Sequence, residues 1–230
     1  MKCIIASQPT RAARRLASLL SDLSPENEWE LKQLSADHLP DADFIFLFRW
    51  PFIISDKVRA TTRAKVVVFH TSELPKGRGG SPLQNQIAEG KYISRVNAIE
   101  MKKGVDSGDI YASQDITLQG TADDVWMSIA HAACRLAIKV VEGAVPQSQV
   151  GEASLYRRRK DNVLPQSSQI DQVHRHIQML DGEGYPGSHV DHGNLRITFS
   201  RSSLRDGHVL CDAVITLRSD CEDTGTSSPP

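Results

Sequence analysis

The stretch that decides the fold is residues 66–82, VVVFHTSELPKGRGGSP. Residues 66–69 are four apolar β-formers, which predicts a buried strand. His70 stands at the carboxyl end of this strand, and a loop rich in Gly, Pro and Ser follows at once. Open α/β sheets bind ligands at the carboxyl ends of their strands, and imidazole titrates near neutral pH. The stretch therefore predicts either a functional histidine at such an edge or a satisfied histidine in an ordinary strand-to-helix turn.

The elements around this stretch predict an α/β fold with a doubly wound, mainly parallel sheet. Upstream, the pattern predicts strands at residues 2–6, 29–34 and 43–48, with helices at 10–20 and 58–62. Downstream, it predicts a helix at 83–88, strands at 92–101 and 110–116, and a long helix that begins after Thr121 and ends near residue 141. Strands that alternate with helices favour a parallel sheet. The turn after the first strand, SQPT, has no glycine, which argues against a nicotinamide-binding fingerprint.

Composition divides the chain into three predicted parts. Residues 1–145 form the α/β domain, and residues 146–220 form a small α+β module. Residues 143–166, which contain two prolines and a basic run, are predicted to be a linker. The module is predicted to contain a helix at 170–180 and strands at 195–199 and 209–217. Residues 221–230, CEDTGTSSPP, are polar and end in proline, which predicts a disordered tail.

Charge and cysteine usage narrow the class of protein. The 230 residues carry a formal net charge of −1, which argues against nucleic acid as a partner. The four cysteines form no CxxC pair and have no metal-like spacing, so we expect reduced thiols and no metal. No apolar run approaches the roughly 20 residues that span a bilayer, and the first residues lack a signal-peptide pattern. We therefore expect a cytoplasmic protein without a membrane partner.

Two motifs in this order resemble those of a known family. Residues 70–79, HTSELPKGRG, resemble the HxSxLPxxRG signature of the 10-formyltetrahydrofolate-dependent formyltransferases. Residues 101–110, MKKGVDSGDI, resemble that family's M-x-x-G-[LV]-D-[ST]-G-D-I, at the family's separation. The resemblance covers about residues 1–141 and implies a Rossmann-like formyltransferase domain that uses 10-formyltetrahydrofolate as donor and no metal. Residues 173–201 look like the C-terminal extension of short members that formylate amino sugars.

The family resemblance implies a catalytic Asn-His-Asp constellation. Matching positions gives His70 the histidine role and Asp106 the aspartate role. The asparagine position, two residues before the histidine, is occupied by Val68. Asn97 is our first candidate for the missing oxyanion donor, with Asn85, a protonated His70 and a backbone N–H of the loop as alternatives.

The resemblance also implies two sets of binding residues. The folate set is Phe52, Ile54, Ser72, Leu74, Pro75, Arg78, Gly79, Val105 and Asp109. The acceptor set is Gly80, Ser81, Pro82, Gln84, Asn85, Arg157 and Arg158. Arg78 either anchors a carboxylate or stabilises its own loop. The basic run at residues 157–160 is either a solvated face or a contact for a nucleotide pyrophosphate.

The function implied by these motifs is formyl transfer from 10-formyltetrahydrofolate to a primary amine of a small acceptor, first of all a nucleotide-linked amino sugar. Methionyl-tRNA, or another amine such as a siderophore, is the alternative acceptor. Because Val68 replaces the asparagine, a catalytically impaired folate- or nucleotide-binding module is a second alternative. A homodimer is also expected as a possible assembly, formed through the β-strands of the small module.

Overall fold

The computed structural model describes residues 1–167 and 169–218. The strands are β1 (Lys2–Ala6), β2 (Glu28–Lys32), β3 (Phe44–Leu47), β4 (Lys65–Thr71), β5 (Arg78–Gly79), β6 (Ile93–Glu100), β7 (Ile110–Thr117), β8 (Leu155–Tyr156), β9 (Ser188–His192), β10 (Leu195–Arg205) and β11 (His208–Leu217). The helices are α1 (Arg11–Leu23), α2 (Asp56–Arg59), α3 (Pro82–Ala88), α4 (Ala122–Val141) and α5 (Ile170–Leu180).

A six-stranded sheet in the order β2-β1-β3-β4-β6-β7 forms the centre of the molecule. Strands β1 to β4 run parallel, and β6 and β7 extend the sheet antiparallel. In β4 the side chains alternate between the two faces of the sheet, so Val67 enters one hydrophobic core and Val66 the other. The strand is therefore buried on both faces, as its apolar sequence predicts.

Helices α1, α3 and α4 and the end of α5 cover one face of this sheet, and the short helix α2 and irregular segments cover the other. The larger core contains apolar side chains of α1, α3, α4 and the end of α5. The smaller core is closed by Leu39 and Ile54, with Val58 of α2 packed beside it. Thr121 caps α4 as predicted and forms a capping box with Asp124, and Thr10, predicted as the first residue of its helix, is the N-cap of α1. The predicted doubly wound, mainly parallel fold is confirmed.

The small module is a three-stranded antiparallel sheet in the order β11-β10-β9, with α5 packed against it. Strand β9 was not predicted, because its sequence, SHVDH, is mainly polar. It pairs residue by residue with β10, and the buried Ser188 hydroxyl bonds Nδ1 of His176 on α5 at 2.8 Å. The small C-terminal α+β module is thus confirmed.

The segment predicted as a linker is packed against the α/β domain. Residues 155–156 form β8, which pairs in parallel with β5 in the glycine-rich loop. Gln147 also forms a bridge to Ile110 at the start of β7. The domain boundary at residue 145 stays a prediction, and the tail at 221–230 lies outside the described residues. No helix among the described residues is long and apolar enough to cross a membrane.

Candidate active site

His70 and Asp106 meet at the carboxyl end of β4. The Nδ1 atom of His70 lies 3.2 Å from Oδ2 of Asp106, and its Nε2 lies 2.9 Å from the carbonyl oxygen of Gly77. The histidine is 5% exposed, so the loop and the carboxylate surround the ring. Both ring nitrogens face oxygen atoms, and the positions of the ring hydrogens decide which contact is a hydrogen bond. Any group that reacts through Nε2 must replace the Gly77 oxygen.

Asp106 connects the two motifs that the sequence analysis singled out. It has a φ of 47°, a conformation that aspartate tolerates better than most residues. The same Oδ2 that faces His70 accepts a hydrogen bond from the backbone N–H of Gly79 at 2.9 Å. The carboxylate therefore positions the imidazole and the glycine-rich loop together.

Asn97 lies directly opposite His70, because β4 and β6 pair these two residues. Its Nδ2 donates to the carbonyl oxygen of Ser72 at 2.7 Å, and its Oδ1 accepts from the Ser113 hydroxyl at 2.7 Å. The side chain is 1% exposed. Its amide thus joins β7 to the chain just beyond β4, and donating to an oxyanion requires the Ser72 contact to give way. Val68 packs beside the smaller hydrophobic core and offers no polar atom.

A segment that we call the covering segment, residues 147–159, lies over the glycine-rich loop. The Gly77 N–H donates to the Ser154 hydroxyl at 2.9 Å, and the Arg78 N–H donates to the Ser154 carbonyl at 3.0 Å. The Gly80 N–H donates to the Tyr156 carbonyl at 3.1 Å. Gly79 has a φ of +96°, and a Cβ there would lie 2.7 Å from the Tyr156 oxygen. Only glycine allows this close approach at that backbone conformation.

Gln149 of the covering segment joins the loop to the aspartate turn. Its Nε2 donates to the carbonyl oxygens of Asp106 and Gly108, both at 2.8 Å. Its Oε1 accepts from Nε of Arg78 at 3.1 Å and from an Nη of Arg78 at 2.7 Å. Arg78 therefore binds Gln149 in this structure, which agrees with a role in stabilising its own loop. Sequence reasoning missed Gln149, because one glutamine in a polar stretch carries no periodic or motif signal.

The predicted folate residues occupy different environments around this pair. Phe52 and Val105 are exposed, whereas Ile54, Ser72 and Pro75 are buried, and Leu74 and Gly79 are partly buried. The Ser72 hydroxyl is buried and has no hydrogen-bond partner among the described residues. Asp109 lies 2.6 Å from the Lys102 ammonium, whose hydrogen bond lowers the pKa of the carboxyl.

The predicted acceptor residues lie together at the far end of the loop. Asn85 donates from Nδ2 to the carbonyl oxygens of Gly80, Ser81 and Arg157. The Arg159 N–H donates to the Ser81 hydroxyl at 3.1 Å. The backbone of the basic run thus packs on the loop, and the Arg157 and Arg158 residues are exposed. Pro82 begins α3, and Gln84 is buried on the same helix.

A loop of the small module, residues 182–185, docks at the same edge of the sheet and was also missed. The Arg49 guanidinium lies 4.6 Å from the centre of the Trp126 ring and 5.4 Å from that of Tyr185. Arg49 also donates to the Glu183 carbonyl at 2.8 Å, and the Glu183 carboxylate accepts from the Arg11 N–H at the start of α1. Burial raises the pKa of the Tyr185 hydroxyl, so the side chain that faces Arg49 is uncharged at neutral pH.

No group of three or more His, Cys, Asp or Glu side chains within residues 1–167 and 169–218 is arranged to hold a metal ion. The candidate site therefore consists of a histidine–aspartate pair, a glycine-rich loop, an orphaned buried hydroxyl and a nearby basic run. This set suits proton transfer and the binding of a polar or anionic ligand.

Comparisons with known proteins agree with the motifs. A family model described as "Formyl transferase" matches residues 6–141, and one described as "Methionyl-tRNA formyltransferase, C-terminal domain" matches residues 159–216. The methionyl-tRNA formyltransferase of Rickettsia prowazekii (strain Madrid E) is 32% identical over 124 residues, which are 52% of this chain and 41% of that protein. The chain thus matches less than half the length of this curated relative.

Solved structures extend the likeness over nearly the whole chain. A methionyl-tRNA formyltransferase from Clostridium thermocellum is 29% identical, with a TM-score of 0.85, covering 95% of this chain and 100% of that one. An N-formyltransferase from Helicobacter canadensis, solved with folinic acid and dTDP-3-aminofucose, has 12% identity and a TM-score of 0.61, covering 93% of this chain and 99% of that one. The second likeness is one of fold alone. The family resemblance that the two motifs indicate is confirmed.

Proposed function

The chain belongs to the formyl transferase family, and from that premise we propose that it transfers a formyl group from 10-formyltetrahydrofolate to a primary amine. The observation that carries this proposal is the His70–Asp106 pair, at 3.2 Å, beneath a glycine-rich loop at the carboxyl end of β4. A catalytically impaired module would have no use for such a pair. Free thiols at Cys3, Cys134 and Cys211 are consistent with an enzyme of the cytoplasm.

The residues of the site fit a bound folate. The unpartnered, buried hydroxyl of Ser72 can accept or donate a hydrogen bond, and the exposed Phe52 and Val105 offer apolar surface to a flat ring. The folate residues predicted above would hold the donor, with Arg78 bound to Gln149 as part of the wall. When bound, 10-formyltetrahydrofolate supplies an electrophilic formyl carbon.

His70 is proposed to move the proton that formyl transfer requires. Attack by an amine gives its nitrogen a positive charge, and His70 accepts a proton from that nitrogen at Nε2 once the Gly77 oxygen is displaced. The same imidazolium then donates the proton to the leaving nitrogen, so the ring ends as it began. Asp106, at Nδ1, orients the ring and stabilises its charged form.

The oxyanion that forms during attack needs a donor that Val68 cannot supply. A preorganised donor at such a position contributes roughly 2.7–4 kcal/mol. We propose that Asn97 provides it when the Ser72 contact opens, with Asn85 or a loop N–H as the other sources. The Asn97→Ala variant tests this: loss of turnover by about a hundredfold, in protein that remains folded at the assay temperature, supports the role. Full turnover by the variant removes Asn97 from the mechanism.

We propose a nucleotide-linked amino sugar as the acceptor. The exposed Arg157 and Arg158 follow directly on β8, beside Gly80 and Ser81, and arginine binds phosphate through two parallel hydrogen bonds. The formal net charge of −1 supports a small acceptor over a long polyanion such as tRNA. Methionyl-tRNA is the second candidate, favoured by the names of the proteins from R. prowazekii and C. thermocellum.

One assay separates these readings. The protein is incubated with 10-formyltetrahydrofolate and, separately, with a panel of dTDP-, UDP- and GDP-linked amino sugars or with methionyl-tRNA, and release of tetrahydrofolate is followed. We expect release with a nucleotide amino sugar, and a raised KM for it in Arg157→Gln and Arg158→Gln but not in the exposed control Arg14→Gln on α1. Release of tetrahydrofolate only with methionyl-tRNA would show that methionyl-tRNA, and not a nucleotide amino sugar, is the acceptor. Folate binding without turnover on any amine contradicts the enzyme reading.

A further inference from the structure

Gly77, whose carbonyl oxygen covers Nε2 of His70, is held by contacts on several sides. Its N–H donates to the Ser154 hydroxyl at 2.9 Å, and its oxygen lies 2.9 Å from Nε2. The ring of Tyr156 supplies a further contact, since a Cβ built on Gly77 would lie 2.6 Å from Cε2 of that ring. Because Gly77 has a φ of +73° and no side chain, the ring packs directly on its backbone.

The hydroxyl of Tyr156 is anchored on a different element, the end of α3. It donates to Oε2 of Glu89, the C-cap of that helix, at 2.8 Å and accepts from the Lys91 ammonium at 3.3 Å. Burial and the hydrogen bond to Glu89 raise the pKa of the Tyr156 phenol, so the phenol keeps its proton at neutral pH. Helix α3 is fixed in turn, because its apolar side chains lie in the larger core. One side chain thus connects the glycine-rich loop to a well-packed helix.

The Gly77 oxygen leaves Nε2 only together with a change in the covering segment. The Gly77 carbonyl and the Arg78 N–H belong to one planar peptide group, and this N–H donates to the Ser154 carbonyl at 3.0 Å. Rotation of the peptide away from His70 therefore breaks the bond to Ser154 or moves Ser154 with it. The Tyr156 ring, further along the same segment, occupies the space beside Gly77 and opposes that movement.

We propose that Tyr156 is a positioning residue that keeps the Gly77 oxygen on Nε2 of His70 and thereby protects the formyl donor from water. This inference rests on the proposed function, because formyl transfer and hydrolysis would use the same base. In hydrolysis, water attacks the formyl carbon, His70 takes a proton from the water oxygen at Nε2 and gives it to the leaving folate nitrogen as the C–N bond breaks. The products are formate, a proton and tetrahydrofolate, so the reaction balances without another reactant.

The covered state of His70 disfavours water more than it disfavours a large acceptor. A water molecule that displaces the Gly77 oxygen gains a hydrogen bond at Nε2 and loses the contacts that hold Gly77. A larger acceptor has further contacts with the protein, and these offset the loss. Arg157, which the proposed function assigns to the acceptor phosphate, follows Tyr156 directly in the chain.

Chemical modification of the folded protein tests the positioning role without any substrate. Diethyl pyrocarbonate acylates uncovered imidazole nitrogens, and peptide mass spectrometry gives the rate at each histidine. We expect His70 to react about tenfold or more faster in Tyr156→Ala, which removes the ring. Tyr156→Phe, which loses only the hydroxyl contacts, should give a rise of about threefold. His38 and His192, both exposed, are the internal standards, and Tyr92→Ala, at a tyrosine that is 72% exposed, should leave the rate at His70 unchanged.

Release of formate from 10-formyltetrahydrofolate in the absence of an amine tests the protective role. We expect Tyr156→Ala to raise this release by about the factor found for modification of His70. The double variant Tyr156→Ala, His70→Asn should release no more than the uncatalysed background. Glu89→Ala should match Tyr156→Phe, and combining these two changes should add nothing, because both remove the same contact. Circular dichroism and thermal unfolding confirm that each variant is folded at the assay temperature.

The two measurements separate this inference from the proposed function. An unchanged modification rate of His70 in folded Tyr156→Ala overturns the positioning role. Faster modification without hydrolysis, in a variant that still transfers formyl groups to an amine, overturns the protective role. If neither wild type nor variant releases tetrahydrofolate under any condition, the proposed function fails and the protective role fails with it. The modification rates then still decide whether Tyr156 holds the Gly77 oxygen on His70.

Discussion

Replacing Gln149 by alanine should slow turnover far more than its place in a polar connecting segment suggests. The side chain touches neither the histidine ring nor the aspartate carboxylate. It holds the backbone on both sides of the aspartate turn, at the Asp106 and Gly108 carbonyls, and binds Arg78 of the loop at the same time. We therefore expect Gln149 to act as a positioning residue through Asp106.

The contacts of Gln149 set the expected loss of stability and of rate in the alanine variant. Two hydrogen bonds to neutral carbonyls contribute about 0.5–1.5 kcal/mol each, and the contact to the charged Arg78 contributes about 1.5–3 kcal/mol. Because Gln149 is half-buried, water replaces some of these hydrogen bonds in the variant. We therefore expect the free energy of unfolding to fall by about 2–3 kcal/mol. A shift of about 1 Å in the Asp106 turn costs roughly a hundredfold in rate, because the pair at 3.2 Å must keep its alignment.

The assay is release of tetrahydrofolate at saturating donor and acceptor, with kcat and KM measured separately and thermal unfolding measured in parallel. Gln147→Ala, the same change two residues earlier at an exposed position, is the matched control and should leave kcat unchanged. Gln149→Glu keeps an acceptor for Arg78 but loses the donor to both carbonyls, so it should be as slow as the alanine variant. A Gln149→Ala enzyme that melts earlier but turns over within twofold of wild type refutes the positioning role.

Three further predictions rest on single contacts. His70→Asn and Asp106→Asn should each lower kcat by about 10²–10⁴-fold while folate still binds, measured by turnover and by folate fluorescence quenching; wild-type turnover in either variant excludes that residue. Gly79→Ala should lower the melting temperature more than Gly184→Ala, because both have positive φ but only Gly79 would place a Cβ against the Tyr156 carbonyl; equal melting temperatures would contradict the close approach. Burial lowers the pKa of His176 below its ordinary 6.5, so the unfolded chain binds a proton more readily and stability falls as the pH drops below about 6.5. In denaturant unfolding at a series of pH values, this group should contribute at most about 1.4 kcal/mol per pH unit to the slope of the unfolding free energy against pH. A His176→Gln variant with the same slope as wild type would exclude His176 as its source.

The fold was predictable where the signal is local. Residues 66–69 form a strand because β-branched and aromatic side chains fill both faces of a buried sheet position, and Thr121 begins a helix because its hydroxyl and Asp124 satisfy free N–H groups. The His70–Asp106 pair followed from two motifs that the family resemblance joined. In both cases the deciding residues are close in sequence or belong to a known motif.

The covering segment was not predictable for the opposite reason. Its two-residue strand, Leu155–Tyr156, pairs with Arg78–Gly79 across 77 positions of sequence, and two residues cannot show a period. Polar residues such as Gln149 and Ser154 are typical of connecting segments, so composition predicts a linker there. Strand β9 was missed similarly, since its Ser188 is buried by a hydrogen bond to His176 and not by hydrophobicity.

The covering segment also joins the two halves of the proposed reaction. Gln149 fixes the turn that carries Asp106, Tyr156 fixes Gly80, and Arg157 and Arg158 come next in the chain. An acceptor phosphate bound by these arginines would therefore pull on the same backbone that holds the loop beside His70. The backbone N–H groups of Gly77, Arg78 and Gly80 donate to Ser154 and Tyr156, so the covering segment is bonded directly to the loop whose Gly77 oxygen faces Nε2 of His70. We therefore expect binding of the proposed acceptor at Arg157 and Arg158 to shift the Gly77 carbonyl and to free Nε2 of His70 for proton transfer.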